Sequence, residues 1–189
     1  MVKETDIRSE IVYAGKRLKE GGLVTSTDGN ISIKDDKYIF ITPSGYNKGE
    51  LNESDIIKIS IDAERIDNVI PKPSMEFFMH QFIYRKRPDI RAIIHTHAPF
   101  STSFTVKGSI PDYSLLLESE YLPEASLLGE FKPGSMELAR AAGDTSKNYD
   151  IILLKKHGVI VLGKDMKKVL EVTERFEFLC RINIYSKLL

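Results

Sequence analysis

The sequence lacks the features that mark secreted, membrane-spanning or nucleic-acid-binding proteins. Its 189 residues include one cysteine, Cys180, which excludes an internal disulfide and fits a reducing compartment. No apolar run approaches the roughly 20 residues of a membrane span, and no apolar signal-peptide segment follows Met1. Lysine plus arginine and aspartate plus glutamate number 27 each, so no overall charge attracts nucleic acid or an anionic membrane. We therefore expect a cytoplasmic protein that binds neither nucleic acid nor membranes.

The chain contains no internal repeat, low-complexity tract or linker, and its length is typical of one domain over residues 1–189. A helix capped by Thr5 or Asp6 is predicted to stop at Gly21. Further helices are predicted over 74–87, 136–147 and from 165 to the C-terminus. Strands are predicted over 23–25, 30–33, 38–41, 56–61, 91–94 and 151–154. Hairpin strands with flanking helices favour an α/β fold with helices on both faces of the sheet.

Three of the four histidines stand at the ends of apolar runs. His95 and His97 close one run, and residues two apart in a strand point to the same side, so both imidazoles can face one cation. His157 closes another run and supplies a third imidazole. Three neutral nitrogens with an open fourth position are what a catalytic zinc ion requires. Glu76, upstream, supplies a carboxylate that can act as a displaceable ligand or as an acid/base.

A structural role is the competing interpretation for each of these histidines, because a single histidine is more often a satisfied core residue than a ligand. Two strand-end placements together with a glutamate on a neighbouring helix favour the metal site. His80 lies one helical turn after Glu76. We interpret it as packing on the sheet, with orientation of Glu76 as the alternative. Cys180 shares a helical stripe with core residues and is given no catalytic role.

Two loops beside predicted strands combine a hydroxyl group, a glycine and a turn-forming residue. They are Thr27-Asp28-Gly29-Asn30 and Thr42-Pro43-Ser44-Gly45. Glycine permits close approach of the backbone, so such loops can offer N–H groups and hydroxyls to a phosphate. Ser74, at a predicted helix N-terminus, adds a hydroxyl and the helix dipole. Each loop also has the composition of an ordinary turn, which is the alternative for each taken singly.

Five short motifs follow one another along the chain. They are Gly29-Asn30-Ile31-Ser32, Thr42-Pro43-Ser44-Gly45, Pro73-Ser74-Met75-Glu76, His95-Thr96-His97 and Lys156-His157-Gly158. In order and approximate spacing they resemble the class II aldolase/adducin family, and within it the fuculose-phosphate aldolases. The resemblance covers nearly the whole chain. It is specific for the family and much less specific for the reaction, since the family also includes epimerases, a dehydratase and non-catalytic adducin-like members.

The resemblance implies a fold and a set of site residues. The fold is a three-layer α/β/α sandwich around a largely antiparallel sheet. The implied zinc ligands, for one Zn²⁺ per chain, are His95, His97 and His157, and Glu76 is the implied proton-transfer residue. The residues implied to hold substrate phosphate are Gly29, Asn30, Ser44, Gly45 and Ser74. A second serine often follows the first in the similar enzymes, whereas this chain has Met75 and so loses one phosphate-binding hydroxyl.

The similar enzymes also imply an assembly. They form fourfold-symmetric tetramers with active sites at subunit boundaries, so we expect a homotetramer. The fuculose-phosphate enzymes place a tyrosine from the adjacent subunit after an Ile-Pro segment. Here Ile110-Pro111 is followed by Tyr113, which is therefore the candidate for the acid that acts on the aldehyde oxygen.

The predicted function is that of a zinc-dependent aldolase. It would reversibly cleave a short-chain ketose 1-phosphate, similar to L-fuculose 1-phosphate, to dihydroxyacetone phosphate and an aldehyde such as lactaldehyde. No lysine is marked by its context as a Schiff-base nucleophile, so a divalent cation is the natural electron sink. The open alternatives are a sugar-phosphate 4-epimerase or a methylthioribulose-1-phosphate dehydratase of the same family, and a non-enzymatic adducin-like module.

Overall fold

The computed structural model describes residues 3–188. The parts of the predictions that fall on Met1, Val2 and Leu189 lie outside the described residues. The helices are α1 (Glu4–Glu20), α2 (Phe77–Lys86), α3 (Pro99–Lys107), α4 (Met136–Thr145) and α5 (Met166–Tyr185). The strands are β1 (Asn30–Asp35), β2 (Tyr38–Ile41), β3 (Ile57–Ser60), β4 (Ala92–Thr96), β5 (Ala125–Leu128), β6 (Ile151–Leu154) and β7 (Gly158–Gly163).

The seven strands form one sheet in the order β3-β2-β1-β4-β7-β6-β5, with β4 at its centre. All neighbouring pairs are antiparallel except β5 and β6, which are parallel. β4 and β6 run in the same direction because each is antiparallel to β7, which lies between them. β1 begins beside the end of β4, where Asn30 pairs with His95. One edge of the sheet therefore collects the end of β4, the start of β1 and the turn from β6 to β7.

Alternate residues of the strands pack on opposite faces of the sheet, as the period of two in a strand requires. Ile94 and the other residues of its face pack with α1, α3 and α5. Ile93 and its face pack with α2 and α4. The two apolar layers confirm the predicted three-layer α/β/α sandwich around a largely antiparallel sheet. None of the helices within residues 3–188 combines the length and the apolar character needed to span a bilayer.

Several predicted boundaries are wrong for identifiable reasons. α1 begins at Glu4, so Lys3 occupies the N-cap, and Thr5 and Asp6 lie inside the first turn. Residues 23–25 form a loop and not a strand. The N–H of Leu23 bonds back to the carbonyl of Leu18 at the end of α1, and the N–H of Thr25 is taken by the carboxylate of Asp28. These N–H groups therefore cannot contribute to a ladder.

The second helix begins later than predicted. The hydroxyl of Ser74 accepts the N–H of Glu76, so Ser74 closes a turn in front of α2, which starts at Phe77. The predicted strand over 56–61 is shortened to β3, and the last helix ends at Tyr185. The starts predicted for the last two helices agree with α4 and α5, where Ser135 and Asp165 accept N–H groups of the first turns.

Candidate active site

Three histidines meet at one edge of the sheet. His95 is the fourth residue of β4 and His97 follows the strand, while His157 lies in the loop between β6 and β7. Because β4 and β6 run in the same direction, their ends bring the three side chains together. In every pair the ring centroids are 4.9 Å apart. One nitrogen from each ring can be chosen so that all three lie within 4.8 Å of one another, which is compact enough to hold one metal ion.

The strands around His95 set the orientation of its ring. Nδ1 of His95 lies 3.0 Å from the carbonyl oxygen of Val159 in β7. Since a carbonyl only accepts, we assign the ring proton to Nδ1, which leaves the lone pair of Nε2 directed at the cluster. Oδ2 of Asp28 lies 3.9 Å from Nδ1 of His97. Carbonyl and carboxylate partners of this kind usually orient metal-binding imidazoles.

Burial favours the neutral form of the cluster. It lowers the pKa of His95 to about 4 and also lowers the pKa of His97. Only a neutral imidazole has a lone pair for a metal, and at neutral pH these side chains are therefore ready to bind one.

Glu76 stands directly beside the histidines. Its Oε2 lies 3.2 Å from Nε2 of His95, and its Oε1 lies 3.5 Å from Nε2 of His157. Burial raises the pKa of the Glu76 carboxyl. Positive charge on His95 or His157 and the N–H of Asn30 lower it, and with that charge present the pKa lies below its ordinary value. Within residues 3–188, the buried Oε1 has no hydrogen-bond partner. Such an atom is costly to bury unsatisfied, and together with the three imidazoles it fits a divalent cation.

A cleft of about 250 Å³ opens beside this cluster. Every residue predicted to hold phosphate lines it, namely Gly29, Asn30, Ser44, Gly45 and Ser74, and so do Glu76, His97 and His157. His95 is fully buried behind these side chains. The structure thus brings together the predicted metal, proton-transfer and phosphate-binding residues.

Two glycines of the phosphate loops have conformations that other residues rarely adopt. Gly29 has φ +70°, and a β-carbon there would lie 2.7 Å from the carbonyl oxygen of His95. Gly45 has φ +79° in open space. Glycine is therefore required at position 29 both by its backbone angle and by the close approach to β4, and at position 45 by its backbone angle alone.

Lys48 is a further residue of the site that the sequence does not mark, and it connects the Thr27 loop with the segment that follows Gly45. The side chain is almost completely buried, and Nζ donates to the carbonyl oxygens of Thr27 at 3.0 Å and Tyr46 at 2.7 Å. Burial lowers the pKa of Lys48 to about 8, although the charge of Asp28 raises it. A lysine in a polar loop gives no signal in the sequence, because its burial depends on how the two loops fold over it.

Tyr113 is not brought to the cleft of its own chain. Its hydroxyl donates to the carbonyl oxygen of Pro123 at 2.9 Å, and burial raises its pKa. It lines a separate cavity of about 720 Å³, beside the exposed side chains of Ile110 and Leu117. Its role in the site of a neighbouring subunit stays a prediction.

The family model described as Class II Aldolase and Adducin N-terminal domain matches residues 9–184. The chain belongs to this family. The match includes the loops, the three histidines and Glu76, so the family resemblance expected from the five motifs is confirmed. The family shows what kind of protein this is and leaves its substrate open.

Relatives of the family with named activities are similar over most of their length. A Methanococcus vannielii protein named L-fuculose phosphate aldolase is 36% identical over 167 residues, which cover 85% of this chain and 86% of that protein. A Bacillus thuringiensis protein named 5-deoxy-D-ribulose 1-phosphate aldolase is 34% identical, covering 95% and 85%. A solved structure titled L-fuculose 1-phosphate aldolase has a TM-score of 0.85 at 28% identity, covering 96% of this chain and 86% of that one.

The prediction that the chain is an enzyme of the class II aldolase type, a carbon–carbon lyase, is confirmed by the family and these relatives. Class II aldolases depend on a metal ion, and His95, His97 and His157 could hold one. The named relatives differ in the sugar phosphate that they cleave.

Proposed function

We propose that this chain, acting as one domain over residues 1–189, is a zinc-dependent aldolase of the cytoplasm. Its substrate is a short-chain ketose 1-phosphate similar to L-fuculose 1-phosphate, and its products are dihydroxyacetone phosphate and an aldehyde such as lactaldehyde. The observation that carries the proposal is the convergence of three histidines, Glu76 and two glycine loops in one cleft. This combination supplies an electron sink, a proton carrier and a phosphate holder within one small volume.

The metal-binding residues are His95, His97 and His157. Three neutral imidazoles that leave a position open suit zinc. When bound, zinc acts as a Lewis acid that stabilises the negative charge developing on the substrate oxygens. The carbonyl of Val159 orients His95 by a hydrogen bond, so the ligand nitrogen of His95 stays directed at the cluster with or without substrate, and the Asp28 carboxylate lies 3.9 Å from His97.

The glycine loops hold the phosphate and so fix the reacting carbon relative to Glu76. Ser44 and Ser74 can each offer a hydroxyl, and Gly29 and Gly45 allow the backbone to approach the phosphate closely. Asn30 completes the wall of the cleft. Holding a substrate in this way lowers the barrier because the orientation is fixed before the reaction.

Glu76 carries the proton. When the carbon–carbon bond breaks, its electron pair remains on the dihydroxyacetone-phosphate fragment. The hydroxyl on the other fragment gives its proton to the group that acts as the acid there in the synthetic direction, and the carbon that bears it becomes the aldehyde. The carboxyl of Glu76 then delivers a proton to the carbon that has lost its bond, and in the synthetic direction the carboxylate removes that proton. Its position 3.2 Å from His95 at the end of the cleft suits this role.

The experiment is an assay for release of dihydroxyacetone phosphate from a panel of ketose phosphates. The panel contains L-fuculose 1-phosphate, 5-deoxyribulose 1-phosphate and a ketose 5-phosphate, and each is tested with metal-free and zinc-restored enzyme. We expect zinc-dependent release from a 1-phosphate and none from the 5-phosphate. Epimerisation of the 5-phosphate or loss of water from a 1-phosphate would support the other reactions of the family, and absence of all three with zinc bound would favour the adducin-like module.

A further inference from the structure

Asn30 links Glu76 to a histidine on the far side of the cleft wall. Nδ2 of Asn30 lies 2.9 Å from Oε2 of Glu76, and Oδ1 of Asn30 lies 2.5 Å from Nε2 of His80. The other ring nitrogen of His80, Nδ1, lies 2.6 Å from the hydroxyl of Ser32. That hydroxyl lies 2.8 Å from the hydroxyl of Tyr84. A continuous hydrogen-bond chain of Tyr84, Ser32, His80 and Asn30 therefore ends on the carboxylate.

This hydrogen-bond chain is isolated from solvent. Ser32 and His80 have no exposed surface, and Tyr84 and Asn30 are 1% and 4% exposed. The chain connects β1 with α2 inside the apolar layer that also contains Phe77. A polar side chain in this layer cannot exchange its partner for water, so rotation of any member leaves another member unsatisfied. The chain is therefore held in one arrangement.

The direction of the donors follows from the carboxylate. Because an ionised carboxylate only accepts, Nδ2 of Asn30 must donate to Glu76, and Oδ1 of Asn30 is left to accept. Nε2 of His80 then carries the ring proton, and Nδ1 accepts the hydroxyl proton of Ser32. The single proton of the Tyr84 hydroxyl is shared between the Ser32 hydroxyl oxygen at 2.8 Å and the backbone carbonyl oxygens of Ser32 at 3.0 Å and Arg91 at 3.3 Å. From Ser32 through His80 to Asn30 each donor points toward Glu76, so one arrangement of protons satisfies these three side chains.

We propose that His80 is a positioning residue for proton transfer, which fixes the Asn30 amide so that Nδ2 holds Oε2 of Glu76. The other oxygen, Oε1, is left to exchange the proton. The inference rests on the proposed role of Glu76 and adds to it. In this arrangement the Asn30 side chain binds Glu76 and His80. The loop that contains Asn30 then binds the phosphate through its backbone and its other residues. In this proposal His80 both packs on the sheet and, through Asn30, orients Glu76.

The first test needs neither substrate nor metal. Nitrogen NMR of the metal-free protein with ¹⁵N-labelled histidine reports which ring nitrogen carries the proton, and the signal of His80 is assigned from its absence in His80→Gln. We expect a neutral ring with the proton on Nε2. A proton on Nδ1 would leave Asn30 without its donor and turn the Asn30 oxygen toward the carboxylate, and that result would overturn the proposal.

The second test separates positioning from packing. His80→Leu removes both ring nitrogens, His80→Gln keeps an amide N–H that can reach Asn30, and Met79→Leu is a control for altered packing of the same helix. The readouts are zinc per chain, KM and the exchange of the dihydroxyacetone-phosphate proton with solvent. We expect His80→Leu to keep its zinc and KM but to exchange about 10- to 100-fold more slowly, as misorientation of a catalytic group predicts. His80→Gln should recover most of the loss, and Met79→Leu should exchange as the parent does.

Equal exchange rates in His80→Leu and the parent would overturn the proposal, and so would equal losses in His80→Leu and Met79→Leu. Failure of the proposed function has a different signature, because Glu76→Gln would then exchange the proton as fast as the parent. If His80→Leu does not fold, the proton position on His80 in the unaltered protein still decides the matter.

Discussion

Gly158 packs so closely against His97 that a β-carbon on the glycine would lie 2.6 Å from Cδ2 of the imidazole. The same β-carbon would lie 3.0 Å from Cε1 of His95 and would collide with the carbonyl of Thr96. Real β-carbons do not approach other atoms so closely. The absence of a side chain at Gly158 therefore provides the space that the imidazoles of His95 and His97 occupy. His157 supplies the third imidazole, and Gly158 makes room for the other two.

This contact predicts the effect of Gly158→Ala. The added methyl group should displace the two imidazoles and lower the affinity for zinc by about 10-fold or more, a loss of the size found when the support of a ligand is removed. The measurement is zinc binding in competition with a chelator of known affinity. Gly129→Ala is the matched control, since the backbone of that glycine is outside the left-handed region and its β-carbon would meet only a side-chain atom of Phe131, at 4.0 Å. Equal zinc affinity in Gly158→Ala and the parent would contradict the prediction.

Removing one ligand tests the metal site directly. His157→Ala takes away an imidazole that is only partly buried, so the sheet and its core should be preserved. We expect the purified parent to hold about one zinc ion per chain and the variant to lose most of it together with aldol cleavage. Elemental analysis measures the metal, and circular dichroism checks the fold. A parent protein that holds no divalent metal, and that none activates, would show that the assignment of the histidines is wrong.

The metal site was predictable from the sequence because its histidines follow apolar runs that are typical of buried strands. The apolar run before His95 and the apolar run that forms β6 predict buried strands, and spacing alone places His95 and His97 on one face. β7 also contains an apolar run, residues 159–162, between glycines, and no strand was predicted there. The spacing of these runs shows where the histidines lie along the chain, and the order of the strands then brings them together.

The elements that sequence reasoning missed depend on distant partners. α3 is short and has no apolar side, and Phe100 and Ser101 at its start donate their N–H groups to the carboxylate of Glu177 in α5. β5 is a four-residue edge strand whose partner, β6, lies more than twenty residues later. The contacts of Asn30 with Glu76 and His80 likewise join β1 to α2. No local pattern encodes such pairings.

The proton-transfer role predicts the behaviour of Glu76→Gln. The amide has nearly the shape of the carboxyl and can occupy the same place, so zinc content and phosphate binding should be kept. It cannot carry the proton, and exchange of the dihydroxyacetone-phosphate proton with solvent should slow by roughly 10²-fold or more. The exchange is followed by NMR in heavy water without aldehyde. Exchange near the parent rate would assign the proton transfer to another residue.

Lys48 predicts a change of stability with pH. Its pKa is about 8 in the folded protein against an ordinary value of 10.5, so the unfolded chain binds more protons between these two pH values. The free energy of unfolding should therefore rise with pH across this window, by up to about 3 kcal/mol from this one side chain. Lys48→Met lacks this contribution. The stability difference between parent and variant, measured by urea unfolding at pH 7.5, 9 and 10.5, should grow in favour of the parent.

The exposed Lys107 provides the control for this experiment. Lys107→Met removes a lysine charge without disturbing the two loops, and its stability difference from the parent should stay constant over the same pH range. If Lys48→Met behaves in the same way as Lys107→Met, the buried ammonium group does not titrate in this window and the prediction fails.

The last prediction concerns Tyr113 and the homotetramer. Tyr113 lies away from the cleft of its own chain, beside the exposed side chains of Ile110 and Leu117, where a neighbouring subunit could bury this apolar surface. A subunit that offers one surface to a different surface of the next can close a ring, so the same tyrosine could serve every site from across a boundary. We expect a tetramer in analytical ultracentrifugation and loss of activity on dilution to the monomer.

If Tyr113 acts on the aldehyde oxygen, Tyr113→Phe should slow carbon–carbon cleavage by about 10²-fold, the scale of a lost general acid, while leaving proton exchange at the dihydroxyacetone-phosphate carbon close to the parent rate. The variant also loses the hydrogen bond to Pro123, which costs stability of about 1 kcal/mol. Tyr121→Phe is the control, because Tyr121 is an exposed tyrosine of the same segment. Its cleavage rate should equal that of the parent. Equal slowing of cleavage and exchange in Tyr113→Phe would remove this tyrosine as the aldehyde-side acid, and a fully active monomer would remove the interface from the mechanism.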